Sequence, residues 1–597
     1  MSAPRPRHGL ARAALTSLLA AACGPAPQAA APTTSAAAPS PAPASTAAAT
    51  ATAATAHALP DDVDLLITVS PEPSPRPLVR MTIVARPDDT PLAAWTGSRS
   101  IDLAEPPQAF DVVGAVPVTV TPPGQATRVT LDRAPQGITR LVYTVRGDLP
   151  AFPDPPPVAV DPDRFEGAGD ALLLLPAALA EKSVRATIRV ETDEIGTAEL
   201  VGAASSFGHG SRVETIARGA DLPDSFFVAG LLGRATFRAP EGNDEAAWLG
   251  YTAFDPRPVF ADMAGLRTSL RQIFGAPDAD KLTFLFLSDS RPAGSFVVTR
   301  RTRSVVARIG VQEPWSAPVR IAVAAAVIHG WIGSRLWVGP DEPARERQAY
   351  WFSEGVTRHL ARDLLFRYGL ISPAEAAAEI EGLASVLATS DVAALSNRDL
   401  AEAPRGALPV ITARGALYAL RVDALLRAKT GKKRSLEDVL RELYKQAAAK
   451  KGALPASAWV DLVAKDLGDK ERAAFEDAIE NGKPVDVPDG ALGPCFRRAT
   501  RTYVGFDLGF DEDASSKGSP RKITGLKKGG PAEKAGLREG DEVVTIQAGA
   551  RSPSEPVHVT VARGDHTKTF SYKPEGRRGK GVGFERKKDV SDEECTK

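Results

Sequence analysis

The sequence has no surplus of either charge. Lys and Arg together number 73, as do Asp and Glu, in a chain of 597 residues. A nucleic-acid partner would leave a basic footprint, and nothing in this balance points to one. No later segment makes a transmembrane helix: the apolar run from Val319 to Ile328 is too short and is interrupted by Arg320. Neither a G-x-S-x-G nor a phosphate-binding loop is present, so a serine hydrolase is unsupported and no nucleotide site is evident. Cysteine is limited to Cys23, Cys495 and Cys595, each better explained than as a nucleophile. Histidine is scarce too: beyond the N-terminal segment it occurs at His57, His209, His329, His359, His558 and His566.

What is present begins with a targeting pattern. Arg5, Arg7 and Arg12 precede a mostly apolar stretch from Ala13 to Ala22, which ends in Leu19-Ala20-Ala21-Ala22-Cys23-Gly24. Small residues before a Cys resemble the lipobox of bacterial lipoproteins. The resemblance implies cleavage before Cys23 and diacylation of its sulfur, hence a membrane partner and a place in the cell envelope, periplasmic or outer-membrane. Ala20 stands where Leu is usual, and the alternative is a plain secretory signal. Residues 24–60 are almost entirely Ala, Pro, Thr and Ser, a composition with little to bury and the mark of a disordered tether. With Cys23 acylated, Cys495 and Cys595 remain, bracketing the last domain. Domain ends often lie close together, and an oxidising compartment permits a disulfide; the alternative is two free thiols.

The length accommodates three or four domains. From residue 61 to 250 the pattern is strand-like, with Pro- and Gly-rich turns. In Val184 to Val190, Val184, Ala186, Ile188 and Val190 share one face, against Arg185, Thr187 and Arg189. An antiparallel β domain is expected there. Residues 251–490 read as mainly helical. Ser316 and Pro318 open a helix running to about Trp331, and a second holds Ser353 to Tyr368. A third runs from Ala413 to about Lys429 before Gly431, and Ser435 with Asp438 opens a fourth. The fold class expected is multidomain α+β, with a third, β-rich domain over 495–595.

The most informative segment is Trp351-Phe352-Ser353-Glu354-Gly355-Val356-Thr357. It resembles the W-F-x-E-G-x-T segment of the glycyl-aminopeptidase family of gluzincin metallopeptidases (metallopeptidase family sixty-one). That resemblance implies a thermolysin-like helical domain and makes Glu354 the third zinc ligand. The family carries H-E-x-x-H upstream; here the corresponding stretch is Ala325-Ala326-Val327-Ile328-His329-Gly330-Trp331. His329 keeps the second His position, while Ala325 replaces the first His and Ala326 the Glu. Two His at i and i+4 share a helical face and grip one zinc, and the Glu takes a proton from metal-bound water. His329 and Glu354 are therefore the vestige of a metal site, short of the three protein ligands that a catalytic zinc takes. The alternative reading is a hydrogen-bonded core histidine and a first-turn helix carboxylate. His359, five residues after Glu354, should face elsewhere, and His209 lies in a Gly-rich stretch. Ile411-Thr412-Ala413-Arg414-Gly415-Ala416 keeps the basic residue and Gly-Ala of the family's Y-Y-x-K-G-A without its Tyr pair. The family's G-G-x-E-H has no clear equivalent near Pro292-Ala293-Gly294-Ser295.

Gly529 to Val544 resembles the core signature of PDZ domains, with Pro531 opening a short helix, Gly536 ending it and Gly540-Asp541 turning into a strand. Tyr503-Val504-Gly505-Phe506 is the expected carboxylate-binding loop, and Leu508-Gly509-Phe510 a second candidate. The resemblance implies peptide binding by strand addition. Gln547 to Pro556 leaves little room for the second groove wall, so a domain used only for packing is the alternative. Two functions follow. One is an exported, lipid-anchored, catalytically inactive peptidase homologue that binds peptides or proteins and holds no cofactor. The other is a divergent zinc-dependent aminopeptidase.

Overall fold

The computed structural model describes residues 59 to 595 except 89, 149–155, 197–200, 240–241, 251, 278–280, 292, 341, 404–406, 517, 519 and 549–550. The signal segment, Cys23, His57 and nearly all of the 24–60 linker lie outside the described residues. Among the described residues no helix is long and apolar enough to cross a membrane.

Ser183–Val190 buries Val184, Ala186, Ile188 and Val190, as its alternation requires. It lies in a seven-stranded sheet beside Leu65–Glu72, with Ile67 opposite Ile188. This pairing is parallel, so the expectation of a purely antiparallel domain is corrected here. Periodicity reports which face a residue occupies; strand direction depends on the long connection between the two strands.

A second sheet carries the chain across residue 250. Gly242–Leu249 runs parallel to Thr283–Asp289, and that strand parallel to Ser304–Gly310. Helix α1 (Pro256–Phe274) makes the first crossover. The boundary expected at 250 therefore falls inside one sheet. Thr283–Asp289 serves both neighbours: Phe284 and Phe286 enter the helical core, and Leu285 and Leu287 enter the β core. A strand buried on both faces reads as an apolar run without alternation, which is why it was missed as a shared element.

The helical body contains α2 (Ala317–Ile328), α3 (Thr357–Arg367), α4 (Pro373–Thr389), α5 (Leu408–Thr430) and α6 (Leu436–Lys450). Ser372 caps α4 reciprocally with Glu375: its hydroxyl accepts from Glu375 N at 3.2 Å, and its own N–H donates to Glu375 Oε2 at 2.7 Å. Gly431, at φ 60°, ends α5. Ser435 N donates to Asp438 Oδ2 at 2.9 Å at the start of α6. The expected helix end at Trp331 comes earlier, at Ile328, and the expected start at Ser353 falls inside a π-helical turn over Trp351–Val356, with α3 beginning only at Thr357.

The C-terminal segment splits in two. Phe496–Phe506 and Glu575–Arg586 form a long antiparallel ribbon, whose Phe496 and Phe584 join the helical core. Cys495 and Cys595 at its base are joined by a disulfide. The intervening residues build a separate small core around Leu508, Phe510, Ile523, Val543, Val559 and Phe570. It contains a helical turn at Glu512–Ser515 and the short helix α7 (Pro531–Ala535), closed by Gly536 at φ 100°. A three-stranded sheet of Glu542–Gln547, Val557–Arg563 and His566–Tyr572 completes it.

Candidate functional site

His329 stands at the C-terminal end of α2, its N–H still bonded to Ala325 O at 3.0 Å. Glu354 comes from the π-turn that precedes α3. The two meet: His329 Nε2 lies 3.4 Å from Glu354 Oε2, and His329 Nδ1 lies 3.2 Å from Ile332 O. A backbone carbonyl on one nitrogen and a carboxylate facing the other is the orientation a ligating imidazole needs. Both side chains remain partly exposed, at 18% and 25%.

The rest of a zinc site does not assemble. Ala325 and Ala326 present only methyl groups, and Ala326 is buried in the helical core. His359 is buried on α3, where its Nδ1 accepts from Arg362 Nη2 at 2.9 Å and its Nε2 lies 4.0 Å from Asp423. Burial, aided by Arg362, pushes its pKa down to about 3. His209 pairs with Thr236 Oγ1 at 3.2 Å and approaches Glu245 Oε2 at 3.7 Å. Among the described residues, no group of three His, Cys, Asp or Glu side chains is placed to hold a metal ion. The donors present do not fit a catalytic zinc, which takes three protein ligands and a water.

Close packing fixes the residues around this pair. A Cβ on Gly355 would come within 2.7 Å of Gly415 Cα, and one on Gly415 would overlap the Trp351 carbonyl. The π-turn and α5 thus touch backbone to backbone. Trp351 sits edge-on to Trp459 and Phe475, with centroids 5.5 and 5.2 Å away, and Phe352 lies 5.7 Å from Trp459. Arg414 is buried, donating to Asn397 Oδ1 at 2.6 Å, Ala393 O at 2.9 Å and Leu395 O at 2.8 Å. Burial pulls its pKa down to about 10.

Tyr350 was not singled out by sequence. It is buried beside Glu354 and Glu346, and burial plus those carboxylates push its phenol pKa up. Its signal was its place directly before Trp351.

The expected peptide-binding residues are corrected. Tyr503, Val504, Gly505 and Phe506 form no loop; they end the ribbon strand, with Tyr503 opposite Gly579 and Val504 opposite Arg578. Tyr503 Oη donates to Val582 O at 2.6 Å, and Arg551 lies over the Phe506 ring at 4.9 Å. Gly505 permits close approach to Thr389. The second candidate does lie in a loop. Leu508 and Phe510 enter the small core, and Gly509, at φ 82°, packs against Ala532. Between 547 and 557 no helix occurs among the described residues.

No protein-family model and no curated protein matches this sequence. Among solved structures, it is similar to an aminopeptidase N family protein from Idiomarina loihiensis, at 16% identity and TM-score 0.63, over 89% of this chain and 99% of that one. An M1 zinc metallopeptidase from Deinococcus radiodurans aligns at 17% identity and TM-score 0.45, over 72% and 96%. Leukotriene A4 hydrolase from Saccharomyces cerevisiae aligns at 12% identity and TM-score 0.45, over 72% and 69%. The first of these likenesses establishes the architecture: the chain shares the multidomain α+β fold of that aminopeptidase N family protein.

Proposed function

We propose that the chain is an exported, lipid-anchored peptidase homologue of the glycyl-aminopeptidase type that has lost hydrolysis and binds peptides or proteins in the cell envelope. The donor count supports this reading. His329 and Glu354 stand 3.4 Å apart, while Ala325 and Ala326 offer neither a ligand nor a base. Two protein donors leave zinc under-coordinated, and the Ala326 methyl accepts no proton from water. The anchor rests on the Cys23 sequence alone. The small domain is assigned as PDZ-like on its short helix, its Gly540-Asp541 turn and its closing hairpin, with Leu508-Gly509-Phe510 in the loop position.

Elemental analysis of the purified full chain tests the central claim. Far less than one zinc per chain is expected, with no chelator-sensitive release of N-terminal residues from peptides. One zinc per chain, lost in His329→Ala or Glu354→Gln, would overturn it in favour of a divergent aminopeptidase. Labelled fatty acid should enter the chain and disappear in Cys23→Ser; equal labelling of both would refute the anchor.

A further inference from the structure

The small domain, the ribbon and the loop after α4 enclose a cleft of about 800 Å³. One wall is α7 with Gly529 and Gly530 before it; the other is the end of the His566–Tyr572 strand with Lys573. The cleft is unevenly charged. Its carboxylates are already engaged: Asp507 with Lys527 at 2.7 Å, Asp391 with Arg577 at 3.5 Å, and Glu575 with Arg578 at 2.9 Å. Lys534 and Lys573 line the same space with no carboxylate partner among the described residues. Two positive charges are left for a ligand to answer.

The cleft also meets a sheet edge. His566–Tyr572 pairs with Val557–Arg563 on one side and is the last strand of its sheet among the described residues. An edge strand offers backbone donors and acceptors to an added extended segment. The ribbon beside the cleft is held in place. Gly579 approaches α4 so closely that a Cβ would overlap the Ala388 carbonyl, and Glu381 accepts from Phe584 N at 2.8 Å while pairing with Arg501 at 2.7 Å. A site that borders a seated element loses less entropy on binding than one that must form throughout.

We propose that this cleft binds an extended acidic segment of a partner protein, with its carboxylates against Lys534 and Lys573 beside the outer strand. The cleft uses neither His329 nor Glu354, so the inference goes beyond the loss of catalysis and is independent of it. The test is fluorescence anisotropy of the full chain with a labelled Glu-rich peptide, against uncharged and Lys-rich peptides of equal length and a single-stranded DNA of equal charge. The Glu-rich peptide should bind preferentially, and more weakly as salt rises. The double variant K534E/K573E should bind it at least about tenfold more weakly, with an unchanged melting temperature because both side chains are exposed. Equal affinity for the uncharged peptide, equal binding by the double variant, or tighter binding of the DNA would overturn the proposal. A chain found to hold one zinc that still binds the acidic peptide would refute the loss of catalysis and leave this inference standing.

Discussion

On the function proposed, Ala326 occupies the position of a proton acceptor; it is buried at 4% exposure, whereas Ala325 is only half-buried. The two positions therefore differ in how readily they take a polar side chain. Ala325→His places an imidazole one turn before His329 on the same face, giving three donors with Glu354. It should take up about one zinc per chain, read by elemental analysis. Ala326→Glu forces a carboxylate into the core and should cost at least about 2 kcal/mol, read by denaturant unfolding. His359 is a second residue with a measurable consequence. The unfolded chain binds its proton near the ordinary value of 6.5, the native chain only near 3, so the unfolded state holds more protons in between. Stability is lost as pH falls through that interval, by up to about 1.4 kcal/mol per unit. Asp363, Asp423, Arg362, Arg367 and Arg427 surround it. Asp423 is itself raised by burial and acts in the opposite sense, so the His359 contribution is read around the ordinary imidazole value. The window to examine is therefore about pH 5 to 7. There His359→Gln should flatten the melting-temperature slope, whatever it does to the absolute value.

The π-turn and α5 form the element that holds Glu354 beside His329. Gly355→Ala should drive a methyl against the α5 backbone and cost about 1–3 kcal/mol, lowering the melting temperature without changing metal content. This contact also explains what could be read from sequence. Val184 to Val190 announced its faces by alternation, and Gly431 and Ser435 announced helix ends, because these are local signals. Trp351 to Thr357 announced the meeting of His329 and Glu354 only through a family likeness. No spacing in the sequence encodes that π-turn's position against α2. The parallel pairing of Leu65–Glu72, the sheet continuing past residue 250 and the strand role of Tyr503 to Phe506 were not legible. Gly505 looked like a loop glycine, yet its space is taken by Thr389, more than a hundred residues earlier in the chain.

At the scale of the molecule, two hydrophobic cores share the strand Thr283–Asp289, and the small domain joins the helical one through the ribbon. Two devices hold that ribbon: the Cys495–Cys595 disulfide at its base and the glycine contacts along α4. They act differently. The disulfide closes a loop of 100 residues and restricts the unfolded chain, a stabilisation of up to about 4.7 kcal/mol in the chain-entropy treatment. The glycines act on the native state by letting backbone lie on backbone. Cys495→Ser with Cys595→Ser should therefore lower the melting temperature yet leave the small domain docked, with the ribbon still protected in limited proteolysis. Gly579→Leu should do the reverse, keeping the covalent link while exposing the ribbon to early cleavage, because its side chain has no room beside Ala388. Early cleavage of the ribbon in the serine pair, with Gly579→Leu resistant, would mean that the covalent link and not the glycine contact seats the domain.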